Sequence, residues 1–599
     1  MSLVKNSLRG LGLVIVVFLI FFPFWASTTS NPESYMNVII TAGTSAILTI
    51  SLNICMGYGG LLSLAHTGMQ MMGGYAIGLA MLNYEIDPWI GILIAAVVST
   101  LFSILMITIS LRATYLYFGM ITLAANLIAM ESFRNALGND GLISGIYLPA
   151  FRGEDLTLRQ FYYVTLGLLV LAYLIQRNTI LSGFGRATMA LRESSDTASA
   201  LGVSPNMQRV KIFALAGGLA GIAGAICAMQ GGFMAPEIGD LNGGLIFFVG
   251  LFLGGVGTLV GPLAGVALIA AIDFQIRFAG AYRILILGSI LLLCMMVLPR
   301  GIVGTFRASR FGSPQELAEE PDTLGEEILT SLKSSNAVSG EIAVEAIDVV
   351  KHFGGIKAVD GVSISIMRGR VHGIIGPNGS GKSTLVSCLT RYHQLTSGEV
   401  RLFGGQMPKT PHAVARGGVT RVFQIPHLFE RVSVRDNVLT GMYLHERYTW
   451  IEAVLRLPRY SKGTRAEEKQ AAALLHIVGL GKKSEIAAAN LSHGQKRLLE
   501  IVRAVSSRPK VLILDEPATG LTQGELESLH NLILFLKNEG LAVVLIEHNV
   551  DFLMGLADIV TVLESGKVIA EERPEAVRND PRVIEAYLGR TDISELMGE

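Results

Sequence analysis

A phosphate-binding loop is the strongest chemical signal in the sequence. Residues 376–383 read GPNGSGKS and match G-x-x-x-x-G-K-[ST], between an apolar run that predicts a strand and a segment that can open a helix. Glycines let backbone N–H groups face an anion, while a lysine adds charge and a serine hydroxyl can ligate Mg²⁺. The motif predicts that a nucleotide phosphate is bound by Gly376, Pro377, Asn378, Gly379, Ser380, Gly381, Lys382, Ser383 and Thr384.

Further polar segments follow the loop in a fixed order. Asp515 and Glu516 come directly after the apolar run 511–514, where an aspartate can hold Mg²⁺ and a glutamate can polarise water. Gln424 and the segment 491–495 lie upstream of this pair, and His548 follows the run 543–547. Each of these residues alone is more often structural. Together with the loop they indicate ATP hydrolysis, with Ser383 and Asp515 as the predicted Mg²⁺ ligands.

The composition points to a membrane protein. Only 16% of the 599 residues are charged and 51% are hydrophobic, whereas soluble domains carry about 25% charged residues. The formal net charge is zero, which gives no case for nucleic-acid binding. The four cysteines have no metal-ligand spacing, so we expect buried thiols.

Apolar runs dominate the first half of the chain, and a span needs about 20 such residues. Basic residues before the first run, after the fourth and sixth runs and after the last favour one side, which we expect to be the cytoplasm. The eighth and ninth runs are short and rich in glycine, as in broken or re-entrant helices. We predict ten spans near residues 10–28, 36–55, 65–83, 88–110, 115–131, 161–177, 209–230, 244–257, 259–275 and 282–298.

The character of the chain changes after the last apolar run. Residues 304–340 are acidic and contain few large apolar residues, which predicts a solvated linker. From residue 341, short β-branched runs alternate with helical patterns. We therefore predict a multi-domain protein: a polytopic α-helical membrane domain of about ten helices (1–303), the linker (304–340) and an α/β P-loop ATPase domain (341–599).

The ATPase half resembles the nucleotide-binding domain of ATP-binding cassette (ABC) transporters. The resemblance implies that Glu516 is the general base, that His548 orients the γ-phosphate and that Gln424 senses Mg²⁺ and the attacking water. Phe353 takes the place of the aromatic residue that stacks on adenine. The sequence departs from the family at His493, where the usual L-S-G-G-Q has glycine, and at Thr522, where aspartate is common. The signature that closes over the nucleotide of a partner subunit would be Ser492, His493, Gly494 and Gln495.

The membrane half resembles the permease of branched-chain amino acid importers, the Liv-type group. The similar segments are SLN at 51–53, GYGG at 57–60, SL at 63–64 with His66, GGY at 73–75, FGMITLA at 118–124 and NDGL at 139–142. Residues 185–202 resemble the family's cytoplasmic coupling segment, an Ala-rich amphipathic helix ended by glycine that docks in the ATPase. This resemblance assigns Arg186, Arg192, Glu193, Ala198 and Gly202 to coupling.

The combined resemblance implies one half of an ATP-driven importer in the bacterial cytoplasmic membrane, with the ATPase in the cytoplasm. Its expected cargo is a small polar or amphipathic solute, chiefly branched-chain or related amino acids delivered by a periplasmic binding protein. ATP and Mg²⁺ are the expected ligands. A second permease–ATPase half, either a different fused chain or an identical one, and membrane lipid are the expected partners. Alternatives are an importer of urea, amides or aromatic acids, an exporter, or a non-transporting ATPase complex.

Overall fold

A computed structural model describes residues 17–29, 31–111, 113, 115–137, 139–151, 154–275, 282–298, 300–308, 340–425, 427–430, 432–446 and 448–588. Most of the predicted linker and the start of the first predicted span lie outside these residues. Contacts divide the chain into two compact units, Met1–Leu181 with Asn206–Ser313, and Ser182–Pro205 with Pro314–Glu599. The segment 182–205 therefore belongs with the ATPase unit, although it lies between two predicted spans.

Helices make up most of the first 308 residues. Among the described residues, six helices are long and apolar enough to cross a membrane, and two shorter ones are apolar. Every predicted span overlaps a described helix, which confirms the polytopic helical class. In chain order the helices are α1 Val17–Ala26, α2 Pro32–Leu52, α3 His66–Tyr84, α4 Pro88–Ser110, α5 Tyr115–Ala136, α6 Leu158–Ile180, α7 Gly183–Glu193, α8 Ser195–Ala200, α9 Pro205–Gly231, α10 Leu241–Gly254, α11 Gly261–Gln275, α12 Tyr282–Val297 and α13 Gly301–Ala308.

Small residues let the membrane-unit helices approach closely. A Cβ atom on Gly224 of α9 would lie 1.9 Å from the Gln70 carbonyl oxygen of α3, and one on Gly254 of α10 would lie 1.8 Å from the Gly261 carbonyl of α11. Lipid gives helices no hydrophobic drive to associate, so close backbone packing of this kind stabilises their contacts. The glycines in the predicted broken helices 244–257 and 259–275 thus serve packing between α10 and α11.

Two two-stranded fragments lie outside the helices of the membrane unit. β1 Ile143–Ser144 pairs with β4 Phe233–Met234, and β2 Ala150–Phe151 pairs with β3 Glu154–Asp155, both antiparallel. They connect the ends of long helices, and Met234 of β4 is fully buried.

Two sheets form the framework of the ATPase unit. A six-stranded sheet has the order β10-β11-β12-β7-β13-β14, in which only β14 is antiparallel to its neighbour, and a four-stranded antiparallel sheet has the order β6-β5-β8-β9. The strands are β5 Ile342–Phe353, β6 Ile356–Met367, β7 Val371–Ile375, β8 Ser397–Leu402, β9 Gly405–Gln406, β10 Val419–Val422, β11 Val511–Asp515, β12 Ala542–Ile546, β13 Ile559–Glu564 and β14 Lys567–Glu572.

Helices complete the ATPase unit and cover the parallel sheet. They are α14 Lys382–Leu389, α15 Pro411–Arg416, α16 Val434–Gly441, α17 Trp450–Val454, α18 Pro458–Ile477, α19 His493–Ser506, α20 Gln523–Asn538, α21 Val550–Met554, α22 Pro574–Arg578 and α23 Pro581–Leu588.

The central strands are apolar at successive positions because both faces of the sheet are covered. Along β11, Leu512 and Leu514 pack in one hydrophobic core while Ile513 packs in the core on the other face. In a parallel sheet the carboxyl ends of the strands meet at one edge, and ligands bind there. This edge brings together the residues that follow β7, β10, β11 and β12, which are the polar segments singled out by the sequence.

Candidate functional site

The phosphate loop wraps around its own lysine. Lys382 begins α14, and its Nζ donates to the carbonyl oxygens of Gly376 at 2.6 Å and Pro377 at 3.0 Å. Gly381 has a φ of 100°, and a Cβ there would lie 2.2 Å from the Ala358 carbonyl oxygen, so only glycine fits. Burial lowers the pKa of Lys382, while the nearby Glu516 and Asp515 carboxylates oppose that shift. The ammonium therefore lies in a small cradle of acceptors at the head of a helix.

Asp515 ends β11 and is 2% exposed. Its Oδ2 accepts a hydrogen bond from Arg421 Nη2 at 2.9 Å, whereas its Oδ1 is buried and has no hydrogen-bond partner among the described residues. A buried carboxylate oxygen without a partner is costly, and oxygen ligands of this kind suit Mg²⁺. The donor set at Asp515 thus fits a divalent cation.

Glu516 lies at the centre of the polar cluster. Its Oε2 accepts from Gln424 Nε2 at 2.8 Å, and its Oε1 lies 2.9 Å from His548 Nε2. The backbone of Glu516 has a φ of 49°, an uncommon conformation for a residue with a side chain, which is often found at functional sites. The structure thus brings Glu516 into contact with both Gln424 and His548, which lie 124 positions apart in the chain.

The signature residues form the start of α19 and contact their own neighbours. Ser492 Oγ accepts from Gln495 N at 3.2 Å as the N-cap, and Gln495 Oε1 accepts from Lys483 Nζ at 2.9 Å. His493 lies beside Gly520, where a Cβ would lie 2.9 Å from the imidazole Nδ1, and Gly494 adjoins Glu525. Within the described part of the chain, no hydrogen bond joins these residues to the phosphate loop.

Phe353 lies at the end of β5 with its side chain 44% exposed. Lys351 Nζ lies 4.8 Å from the ring centroid, and the His393 ring meets its edge at 5.2 Å between centroids. The remaining ring surface is accessible, so a planar group can stack on it.

The segment 182–205 forms two short helices, and the single helix predicted for it is wrong. Ser194 separates α7 from α8 because its backbone is extended, with φ −152° and ψ 111°. Its side-chain oxygen accepts from Thr197 N at 3.2 Å and caps α8. Gly202, with a φ of 83°, ends the segment as predicted. A serine inside a helical pattern was the signal for this break, since serine favours caps over helix interiors.

A buried ion-pair cluster holds the first of these helices on the ATPase. The Arg186 side chain is 5% exposed, and its Nη2 lies 3.7 Å from Glu446 and 3.9 Å from Glu467. Gly183 adjoins the same carboxylate, since a Cβ there would lie 1.4 Å from Glu446 Oε1. Burial lowers the pKa of Arg186, but the neighbouring carboxylates and Tyr448 outweigh it, so the arginine is charged.

An apolar cluster holds the second helix. Ala198 is fully buried and packs with Ala187, Leu201 and Phe429, among others. A Cβ on Gly202 would lie 2.4 Å from Leu444, and Tyr392 donates its hydroxyl to the Asp196 carbonyl at 2.7 Å. The alanine-rich face therefore packs against side chains of the ATPase. Arg192 and Glu193 lie at the end of α7, at the edge of this contact.

Several buried charges were missed by sequence reasoning. Arg421 binds both Asp515 and Ser387, at 2.9 and 3.0 Å. Glu547 accepts from Ala518 N at 2.6 Å, and burial raises its pKa to about 7. Arg497, Glu500 and Arg503 of α19 are further buried charges, and their spacing in the sequence is that of an ordinary polar helix face.

Comparison with known proteins agrees in both units. A family model described as ABC transporter matches residues 359–519, and one described as branched-chain amino acid transport system, permease component, matches 34–298. A model described as branched-chain amino acid ATP-binding cassette transporter matches 567–593.

Individual relatives match the ATPase unit. The high-affinity branched-chain amino acid transport ATP-binding protein BraF of Pseudomonas aeruginosa is 37% identical over 248 residues, which cover 41% of this chain and 97% of BraF. The corresponding LivG of Salmonella typhimurium is 35% identical, covering 40% and 95%. A solved ATP-binding cassette of an ABC transporter in its ADP conformation is 34% identical, with 41% and 99% coverage and a TM-score of 0.37.

The fold and the site define a membrane transporter whose ATPase domain binds and hydrolyses ATP. The chain belongs to the ABC transporter family, in its branched-chain amino acid group, and carries the permease and the ATP-binding cassette in one polypeptide. The resemblance inferred from the sequence is confirmed.

Proposed function

We propose that this chain is one half of an importer that uses ATP to bring branched-chain amino acids into the cell. The observation that carries the proposal is the joint presence of a permease region at 34–298 and a cassette at 359–519. Both the permease model and the relatives of the cassette are described by branched-chain amino acid transport. The permease region alone would leave the energy source open, and the cassette supplies it.

In this proposal, ATP phosphates are held by the loop 376–384, and adenine stacks on Phe353. Ser383, Gln424 and Asp515 would hold Mg²⁺, and the supporting observation is that Asp515 Oδ1 has no hydrogen-bond partner among the described residues. When bound, Mg²⁺ neutralises charge on the β- and γ-phosphates. Lys382 leaves its carbonyl partners to meet the phosphates, since an anion offers it a stronger hydrogen bond than a carbonyl does.

Glu516 acts as the general base that takes a proton from the attacking water. Gln424 and His548 each contact one of its oxygens, so they orient the carboxylate until nucleotide arrives. His548 then turns to the γ-phosphate. The half-exposed His548 side chain is consistent with such a change of partner.

Hydrolysis requires a second cassette in this scheme. Ser492, His493, Gly494 and Gln495 act in trans, on nucleotide bound by the phosphate loop of the other half. The contacts of these residues with Lys483, Gly520 and Glu525 leave them at a helix N-terminus, a position that suits an anion. The other half is a different fused chain or an identical one.

Residues 182–205 carry cassette motion to the membrane helices. Their docking through Arg186, Ala198 and Gly202 supports this role, with Arg192 and Glu193 at the edge. The transporter lies in the bacterial inner membrane with the cassette in the cytoplasm, and a periplasmic solute-binding protein delivers the cargo. Residues 1–303, 304–340 and 341–599 serve as permease, linker and cassette, with 182–205 as an insertion that belongs structurally to the cassette.

The test is uptake of radiolabelled leucine, urea and benzoate by cells that express the chain from its native chromosomal region in a host without its own branched-chain uptake. We expect leucine to accumulate, and Lys382→Ala to abolish accumulation. Uptake of urea or benzoate but not leucine would show that the protein is an importer of a different cargo. Loss of preloaded leucine that depends on Lys382 would indicate an exporter. ATP hydrolysis without movement of any of the three solutes would contradict transport of this class.

A further inference from the structure

Helix α19 carries three charged side chains that are almost completely buried. Arg497 and Glu500 are 1% exposed and Arg503 is 2% exposed. Desolvating an ion costs several kcal/mol unless charged and hydrogen-bonding partners compensate it. A helix that serves only as a core element would carry apolar residues at such positions, so the partners of this triad are informative.

The three charges are paired with one another in a row. Arg497 Nη1 lies 2.9 Å from Glu500 Oε2, and Arg503 Nη2 lies 3.6 Å from Glu500 Oε1. Two arginines and one glutamate give the row a net positive charge. Glu547 adds a buried carboxyl near Arg497, at one end of the row.

At one end of the row, Arg497 binds the backbone just before Gln424 and Glu516. Arg497 donates to the carbonyl oxygens of Phe423 and Asp515. The next residue after Phe423 is Gln424, and the next after Asp515 is Glu516, and these two side chains contact each other. Arg497 thus fixes the spacing of the strand end and the Gln424 segment.

The other end of the row holds the far end of the same segment. Arg503 Nη1 donates to the His427 carbonyl at 2.9 Å, and Glu500 Oε1 accepts from His427 N at 3.3 Å. The guanidinium of Arg503 lies 4.7 Å from the centroid of the Phe429 ring. Phe429 is fully buried in the apolar cluster that contains Ala198 and Leu201 of the docked segment.

The docked segment also supplies negative charge to the row. Burial lowers the pKa of Arg503 to about 10, and the Glu500 and Glu193 carboxylates oppose that shift. Glu193 ends α7, the helix anchored by Arg186. The docked segment therefore places a carboxylate where it acts on Arg503, beside the Phe429 contact.

We propose that Arg497, Glu500 and Arg503 form a positioning relay, through which the docked segment 182–205 sets residues 423–429 and so places Gln424 against Glu516. The proposal rests on the function proposed above and adds the residues that transmit the position. None of the three touches substrate. Moving α7 withdraws Glu193 from Arg503, the row shifts, and both ends of the 423–429 segment move together.

The experiment is amide hydrogen exchange on the purified full-length chain in detergent, with Glu516→Gln to retain nucleotide. We expect ATP with Mg²⁺ to slow exchange in two peptides, one over 420–430 and one over 186–203. In Arg503→Met the response at 420–430 should persist, whereas the response at 186–203 should fall by about tenfold, a usual size for coupling between sites. A structural role would reduce both responses together.

Two further variants isolate the effect. Arg508→Met removes an exposed arginine just after α19 that bonds Gln470, and it should leave both responses unchanged. Glu193→Gln removes one exposed carboxylate that acts on Arg503. It should weaken the exchange response at 186–203 and leave the melting temperature unchanged. If Arg503→Met does not fold, Glu193→Gln decides alone.

The possible results distinguish failure of the relay from failure of the proposed function. Equal loss of both responses in Arg503→Met, or no loss in either variant, would overturn the relay while ATP binding still stood. If ATP with Mg²⁺ does not slow amide exchange at 420–430 in the Glu516→Gln chain itself, the proposed function is overturned, and the relay with it.

Discussion

The nucleotide site and the surface that holds residues 182–205 lie in one unit, but their charged groups are arranged differently. At the nucleotide site, Glu516 contacts Gln424 and His548, and the histidine side chain is 50% exposed. At the docking surface, Arg186 is 5% exposed between two carboxylates, and Ala198 is fully buried. His548, which changes partner in the proposed cycle, is accessible to water, whereas Arg186, which holds the docked segment, is sealed from it, as are Asp515 and Glu516.

The difference has an energetic consequence. Breaking an ion pair between partly exposed charges costs little free energy, because water replaces the lost partner. A buried pair loses about 3–5 kcal/mol when one member is removed, because the remaining charge is stranded. Substitution of the half-exposed His548 should therefore cost little stability, whereas substitution of the buried Arg186 should cost more.

The largest effect is expected at Glu516. Glu516→Gln keeps the size and hydrogen bonding of the side chain but cannot accept the proton, so hydrolysis should fall by about 10²–10⁴-fold. ATP binding and the melting temperature should be preserved. The control is Glu564→Gln, at the exposed end of β13, which should hydrolyse ATP normally. Near-normal turnover by Glu516→Gln in a steady-state phosphate-release assay would remove Glu516 from the role of base.

The next effect is expected at Arg186. Arg186→Met strands Glu446 and Glu467 and should weaken docking by about 3–5 kcal/mol. Limited proteolysis should then cleave within 182–205, and transport per ATP hydrolysed should fall. Arg186→Lys keeps the charge without the planar fork and should show a smaller loss. If both variants resist cleavage like the unaltered chain, the buried ion pairs do not hold the segment.

A smaller effect is expected at Ala198, where the contact is apolar. Ala198→Glu places a charge in the cluster around Phe429 and should lower transport per ATP by about tenfold, with ATP affinity unchanged. Ser195→Glu, on an exposed position of the same helix, is the matched control and should transport normally. Transport and hydrolysis are measured on one vesicle preparation. Equal values for both variants would argue against coupling through α8.

The smallest effect concerns Glu547, whose pKa is raised by burial from its ordinary 4.5 to about 7. The folded state then binds more protons than the unfolded state between these values, so stability falls as pH rises through that window. Glu547→Gln keeps an acceptor for Ala518 N and removes the titration. At about pH 8 the variant should be more stable than the unaltered chain by on the order of 1 kcal/mol.

Thermal unfolding at about pH 5.5 and about pH 8 measures this difference. The unaltered chain should melt at a lower temperature at the higher pH, and Glu547→Gln should show a smaller change. An identical pH dependence in both proteins would mean that Glu547 is ionised throughout.

Sequence reasoning recovered the elements whose chemistry is local. The phosphate loop needs a preceding strand and a following helix, so 376–383 predicted β7 and α14, and the strand before Asp515 followed in the same way. The apolar runs predicted the membrane helices because a span has a minimum length. The runs at 244–257 and 259–275 are shorter than a full span and rich in glycine, which distinguished them from the other runs.

The features that the sequence did not predict depend on distant partners. Arg497, Glu500 and Arg503 look like an ordinary polar face of a helix until residues 423–429 are placed beside them. Arg421 is likewise uninformative without Asp515. The break at Ser194 was missed because alanines on both sides favour one continuous helix.

The docked segment is an internal part of the permease sequence, flanked at Leu181 and Asn206 by the membrane unit, and its ATPase is attached further along the same polypeptide. In a transporter of separate subunits this contact must form between molecules that meet by diffusion. Here a tether gives the two partners an effective concentration on the order of millimolar. Synthesis of the chain also fixes their ratio at one to one. A cell can therefore make this chain at a low level without losing the contact, and the fraction of chains in which residues 182–205 are docked should not depend on the expression level.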